Sequence, residues 1–471
     1  MEFVRGLRRL WRHPLFRRLF AVRVAAQAAD AVLQVALASY VLFSPERQPD
    51  AAAIAGVLAL TLLPFSVLGP FVSVVLDRVS RRQVLLITEI IRAVLGLSLA
   101  VLVAGGIAGG GEKVLFYGGV LLAMSFNRFL LAALSASLPH TITPEEYLVA
   151  NSVVPTVGPA AVIIGGGTAT GLRLVLGSRV PTSAADAVLF ALAACGFLVS
   201  AALSLRIGRT VLGPGVGEPT RTSDVVRGLV TALQHLRVRR EAGLGLIMIG
   251  LHRVPYGVVT VATILVYRNY FHTVDEVDAA IGELGILALV TGIGFVLAAA
   301  VTPIVRHRIG ARAWMISCFV ASAVLQTFPG ATYTRAGILV AAFLCGVLAQ
   351  AIKINVDTFV QAHVDDDFKG RVFVIYDMVF NVALVGAAAI GALILPLNGR
   401  SVPILVIISG CYLITGLVFA VLGRGLAWDQ GAESLTTPDV DPVDPVDPVD
   451  RAVDPPVEPD RVQRGSGPAA K

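Results

Sequence analysis

Ser73-Val-Val-Leu-Asp77-Arg78-Val-Ser80-Arg81-Arg82 is a short charged stretch set between two long apolar runs, 51–76 and 83–105. Each run exceeds or approaches the roughly 20 residues that a helix needs to cross a bilayer. The connection leaves no room for a loop, so the two runs read as an antiparallel helical hairpin with a basic hinge. A related hinge recurs far down the chain as Pro303-Ile-Val-Arg306-His307-Arg308-Ile-Gly310-Ala-Arg312. Aligning Arg78 with Arg308 places Ser80 on Gly310 and Arg82 on Arg312. A hinge repeated once in each half of an apolar chain predicts a duplicated membrane protein.

Composition agrees. The chain is 56% hydrophobic and only 15% charged, against roughly 25% charged for a soluble domain. Twelve spans are expected at about 18–43, 51–76, 83–105, 114–138, 150–176, 183–206, 243–267, 281–305, 313–329, 335–360, 371–396 and 402–424. The fold class expected is therefore an all-α integral membrane protein of twelve transmembrane helices in two pseudo-symmetric six-helix halves. The expected organisation is an amphipathic segment (1–17), a first half (18–206), a linker (207–242), a second half (243–424) and an acidic tail (425–471). The apolar run after the basic start continues to Phe43, too long for the core of a cleaved signal. The end of the linker, Ser223 to Arg240, has helical periodicity and is expected to lie along the membrane face.

Arginines cluster at one set of span ends. Arg5, Arg8, Arg9, Arg12, Arg17 and Arg18 precede the first span, Arg78, Arg81 and Arg82 follow the second, seven more fill the linker, and Arg306, Arg308 and Arg312 follow the eighth. The positive-inside rule makes that side cytoplasmic, with both termini inside. The positive net charge thus reports topology and not nucleic-acid binding. The tail repeats Val-Asp-Pro at 440–448, a composition that is expected to stay disordered. It reads as an electrostatic or partner-binding tail, or as a dispensable extension.

Ionisable groups at membrane depth are costly and mark function. On the first span Arg23, Gln27, Asp30 and Gln34 share one helical face, as do Gln350, Lys353, Asp357 and Gln361 on the tenth. The fourth span holds Asn127 and Arg128, the seventh His252 and Arg253 before Pro255, and the eleventh Asp377 and Asn381. Spans one, four, seven and ten are what nested three-helix repeats would turn toward a central path. Asp30 and Arg128 are expected to line a cavity, or else to form a structural ion pair, possible partners including each other. Arg23, Glu89, Arg92 and Asp377 fall within two turns of the cytoplasmic side and can snorkel or pair there. Lys353 and Asp357 can neutralise each other. His252 is either a titrating group or a packing residue.

Catalytic machinery is not expected. Gly105 to Lys113 lacks the ending of a phosphate loop. Cys195, Cys318, Cys345 and Cys411 have no metal-ligand spacing.

On these residues the chain resembles a major facilitator superfamily transporter over roughly 15–425. Asp77, Arg78, Arg81 and Arg82 match the family's loop motif between spans two and three, with Ser73 and Ser80 replacing its glycines. In the family this motif latches the two halves and gates the cytoplasmic side. Arg128 falls where the family has a fourth-span arginine, and Leu131 stands where glutamine usually follows. Gly158-Pro159 opens a fifth-span antiporter motif whose next glycine positions hold Val162 and Ile163, with Gly165 and Gly166 displaced along the helix. Leu138 to Ser152 and Gln361 to Phe373 resemble loops of the macrolide-efflux and enterobactin-exporter-like branch.

The resemblance implies a proton-linked exporter of a small amphipathic compound, working by alternating access. Its site would comprise Asp30, Gln27, Gln34, Arg128, Asn127, His252, Arg253, Lys353 and Asp357, with Asp77, Arg78, Arg81 and Arg82 as gate. An importer, a lipid flippase and a non-transporting scaffold are the alternatives. No cofactor, metal or nucleic acid is expected. The partners expected are the bilayer, a small-molecule substrate and protons, for a monomer in the bacterial inner (plasma) membrane.

Overall fold

The computed structural model describes residues 9–42, 50–76, 78–107, 110–143, 147–177, 179–213, 222–273, 276–328 and 330–428. The Val-Asp-Pro tail, residues 1–8 of the 1–17 segment, and Asp77 lie outside the described residues. Twelve helices among the described residues are long and apolar enough to cross a membrane, and no strand is present among them. In lipid the backbone must satisfy its own hydrogen bonds, and a helix does so within one segment.

The helical spans run Pro14–Leu42, Ala51–Val67, Arg81–Gly105, Gly110–Ser137, Tyr147–Gly177, Thr182–Ser204, Arg240–Leu265, Val277–Ile309, Ala311–Thr327, Arg335–His363, Asp366–Ile394 and Val402–Leu422. Local chemistry sets several ends. The first span starts at Pro14, a residue suited to an opening turn because its missing N–H would be unpaired there. Asp50 and Thr334 cap the second and tenth spans by accepting from Ala53 N (2.8 Å) and Gly337 N (3.1 Å). The second span does not run unbroken to 76. It gives way to a 3₁₀ turn at Gly69–Phe71 and resumes over Val72–Leu76, because Pro70 cannot donate a helical bond and crowds the preceding turn. Pro255 lies inside the seventh span without ending it, and that span closes in a π turn at Val266–Tyr270. In the linker, a helix spans Thr222–Val238.

Each half packs by the same plan. The first span lies on the fifth and sixth, and the third on the sixth. Correspondingly, the seventh lies on the eleventh and twelfth, and the ninth on the twelfth. Close approach is obtained with small residues. A Cβ on Gly165 of the fifth span would stand 2.2 Å from the Ala28 carbonyl oxygen of the first. In the second half, one on Gly257 would stand 2.6 Å from Ala387 Cβ. Lipid-facing positions stay apolar, as at Val94, Leu97 and Val101 along the third span.

Between the halves, the second span packs on the eleventh and the fifth on the eighth. At the end of the bundle opposite the described termini, here the distal end, Leu42, Ile54, Leu265, Ile281 and Ala388 form one apolar cluster drawn from both halves. The described apolar clusters at the terminal side each stay within one half and its adjoining segments. Among the described residues, the apolar contact between the halves is thus concentrated at the distal end.

Candidate functional site

The deepest charges of the first half form a trio. Arg92 is fully buried and its side chain contacts Asp30 through Nη2, Glu89 Oε1 through Nη1 (3.1 Å) and the Ala123 carbonyl through Nε (3.1 Å). The guanidinium also sits 4.0 Å from the centre of the Phe197 ring. Gln34 Nε2 donates to the other Asp30 oxygen (2.7 Å). Glu89 and Arg92 therefore do not snorkel. The third span begins at Arg81, which puts them about 12 and 16 Å along the helix, near mid-membrane. One cation between two carboxylates leaves the trio with a formal charge of minus one when both are ionised.

Asp30 pairs with Arg92 and not with Arg128. Arg23 reaches Ser135 Oγ on the fourth span (3.3 Å). Gln27 lies against Gly158 of the fifth span, its Nε2 3.0 Å from where a Cβ would be, and Asn127 is buried.

Between the halves lies a cavity of about 600 Å³, walled by spans one, five, seven, eight, nine, ten and twelve with residues such as Val35, Thr170, Val259, Leu284, Phe295 and Ala341. Asp30 is not in its wall: at about 100° per residue it stands roughly 80° from Ala38 and 140° from Val35 around the first span. Tyr333, held at a positive φ of 50° with its hydroxyl accepting from Ser401 N (2.8 Å), stands at the distal part of the wall.

A second trio touches this cavity. Arg173 of the fifth span is 1% exposed and donates through Nε to Ser39 Oγ and Asp186 Oδ1 (both 3.0 Å). Its Nη1 donates to Asp278 Oδ1 of the eighth span (3.0 Å), an ion pair between the two halves. Ser39 Oγ donates to Asp186 Oδ1 (2.6 Å). The sequence reading passed over Arg173, Asp186 and Asp278. The available signal was an arginine and an aspartate embedded in apolar runs close to their distal ends.

Nearer the terminal side, Arg128 lies 3.8 Å from Asp377, again across the halves, and Asp377 is half exposed. Lys353 donates to Asp357 (2.6 Å) on its own helix, both part-exposed, and lies 5.5 Å from the Tyr376 ring. Arg253 stacks on Phe380 at 3.8 Å. His252 is buried among Tyr256, Phe319 and Tyr412, inside the second half.

The two hinges occupy equivalent places. Ser80 and Gly310 are the N-caps of the third and ninth spans. Gly310 has φ +81°, a conformation that glycine adopts without cost. Arg81 donates to the carbonyls of Ala136 and Leu212 (2.9 Å each), and Arg312 to that of Ala420 (2.6 Å). The first hinge is thereby tied to the end of the fourth span and to the start of the linker, and the second to the end of the twelfth span. His140 receives an Arg81 N–H at 3.2 Å. Although its side chain is exposed, partial desolvation and the neighbouring guanidinium hold its pKa below the ordinary histidine value.

Two parallel halves of like packing with a cavity between them, and charge buried at the helix contacts, define a secondary-transporter architecture. No protein-family model matches the chain. An uncharacterized MFS-type transporter of Mycobacterium tuberculosis is 32% identical over 422 residues, covering 87% of this chain and 92% of the relative. One from Mycobacterium bovis matches to the same extent. The chain therefore belongs to the major facilitator superfamily.

Among solved structures, the nucleoside transporter NupG (D323A mutant) superposes with a TM-score of 0.65 at 13% identity, covering 86% of this chain and 99% of NupG. The xylose transporter XylE from E. coli, in a partially occluded inward-open conformation, gives 0.55 at 14% identity, covering 86% and 96%. These share the fold. The relatives and the structural neighbours are transporters, not enzymes.

Proposed function

We propose that the protein is a proton-coupled exporter of a small amphipathic compound, working by alternating access with both termini in the cytoplasm of a bacterial cell. The observation that carries this reading is the apolar cavity between the halves, together with their apolar contact at the distal end. Its volume suits a small molecule, and its walls suit an apolar body. In this reading, apolar contact at the distal end with part-exposed charges toward the terminal side is the state in which an exporter would load from the cytoplasm.

The Asp30–Arg92–Glu89 trio supplies a proton site beside the cavity. Its surplus negative charge is cancelled by one proton, and wetting of the site as the halves rock would favour release. Gln34 and Gln27 extend the trio's polar face. Arg128, with Asp377, and the Lys353–Asp357 pair form the charged approach from the cytoplasm. Asn127, His252 and Arg253 brace the helices that carry these groups. Asp77, Arg78, Arg81 and Arg82 form the cytoplasmic gate.

The test is proton release from acidified inverted vesicles on adding candidate amphiphiles. Wild type is expected to alkalinise the lumen in a substrate-dependent manner. Asp30→Asn and Glu89→Gln, which leave Arg92 with one carboxylate, are each expected to abolish that release while substrate still binds. Release that persists in both variants would remove the trio from coupling.

A further inference from the structure

We propose that Arg173 reads an anionic group on the substrate and that the substrate's anion takes the place of Asp278, releasing the distal gate. This rests on the exporter reading and narrows its substrate to an apolar body bearing one carboxylate, sulfonate or phosphate. Three observations converge on it.

Arg173 is the one charged residue among the described residues that wall the cavity. A guanidinium there offers an anion charge-assisted hydrogen bonds that a neutral body or a cation cannot accept. The residue is also rigidly held. Ser39 and Asp186 fix Nε from the first and sixth spans, so the fork presents its Nη edge in a set direction.

The third observation concerns Asp278. Arg173 with Asp186 and Asp278 sums to one negative charge, so an incoming anion cannot simply add to the trio. It must displace a carboxylate. Asp186 is buried with a side chain 1% exposed, whereas the Asp278 side chain is 41% exposed and can turn into water. Asp278 is therefore the one that leaves. It belongs to the other half, and Gly177 lies so close that a Cβ there would be 2.4 Å from Asp278 Oδ2. Losing the Arg173–Asp278 contact loosens the fifth span from the eighth at the distal end. Binding of the correct substrate is thereby coupled to opening on the far side, and a neutral or cationic amphiphile lacks the means to break the contact.

The experiment uses the full chain in nanodiscs at pH 8 and three fluorescent probes with one apolar body: pyrenebutyrate, pyrenebutanol and pyrenebutyl-trimethylammonium. Wild type is expected to bind pyrenebutyrate at least about tenfold more tightly than the other two, the size of effect a charge-assisted hydrogen bond gives. Asp278→Asn removes the competing anion. It is expected to tighten pyrenebutyrate several-fold (roughly 3- to 10-fold) and leave pyrenebutanol within about twofold. Arg173→Gln is expected to bring the three affinities together. Should that variant fold poorly because Asp186 is stranded, Arg173→Gln/Asp186→Asn removes the stranded charge and makes the same test.

Equal affinities in wild type, an anion preference that survives loss of Arg173, weaker anion binding in Asp278→Asn, or no binding of any probe would each overturn the proposal. Proton release from inverted vesicles driven equally by pyrenebutanol would keep the exporter and overturn the anion assignment. Arg173-dependent binding of pyrenebutyrate without any proton release would keep the anion site and overturn proton-coupled export.

Discussion

Arg92 shows what a single buried cation does in this fold. It contacts three helices besides its own through Asp30, the Ala123 carbonyl and the Phe197 ring. Removing it strands two carboxylates, so Arg92→Leu is expected to cost about 3–5 kcal/mol. Glu89→Gln leaves Arg92 paired with Asp30 and is expected to cost less than half of that. Thermal unfolding in detergent should rank them in that order; equal losses would mean that the trio is not organised around the arginine.

A second residue-scale prediction concerns His140. Its folded pKa lies below the usual 6.5 through partial desolvation and the adjacent Arg81, so the fold favours the neutral ring. That contribution is complete above about pH 6.5 and is lost as pH falls from there through the folded value. Wild type is expected to lose Tm between pH 7 and 5, and His140→Asn to lose less over the same range. An identical pH profile for the two proteins would dismiss the Arg81–His140 contact as a pH-dependent element. At this scale the sequence was informative about depth and not about partners. Asp30 is legible as a charge in mid-span, but its partner lies 62 residues away, on a helix whose facing side only packing decides.

At the scale of elements, the spans were legible because an apolar run longer than the bilayer has one low-energy solution, the helix. Their details follow from single residues. Pro70 divides the second span. Gly310 at φ +81° turns the eighth span into the ninth, and its replacement by alanine is expected to cost about 1–2 kcal/mol. Gly165 is a different case, a matter of space and not of φ. With a Cβ 2.2 Å from the Ala28 carbonyl oxygen, Gly165→Ala must push the first and fifth spans apart, at a cost of about 1–3 kcal/mol. Gly167→Ala, where nothing lies within 4 Å, is the matched control and should leave Tm unchanged. The motif reading placed weight on Gly158-Pro159 and treated Gly165 as displaced. Contact with the first span gives both Gly158 and Gly165 a role, since each lies against that helix.

Across the whole molecule, two arginine–carboxylate trios flank the same helix. Asp30 and Ser39 are nine positions apart on the first span, about 13 Å along its axis. One trio lies within the first half and the other bridges to the second. The repeated hinge made the duplication visible in the sequence. It left the cavity's position unread, because the walls come from ordinary apolar residues that look like any lipid-facing position. Spans five and eight contribute as much of that wall as one and seven, so polar spacing alone pointed to the charged approach and away from the apolar chamber.

The central claim is alternating access. It is tested most directly by electron-spin distances across both ends of the full chain in nanodiscs. One label pair would sit at the distal end on Val180 and Leu397, the other at the terminal side on Leu205 and Arg424, all exposed positions, in a background lacking the four cysteines. The account predicts that adding a transported compound at low pH lengthens the distal distance while the terminal-side distance shortens. Distances that stay fixed under every condition, or that lengthen together at both ends, would contradict it.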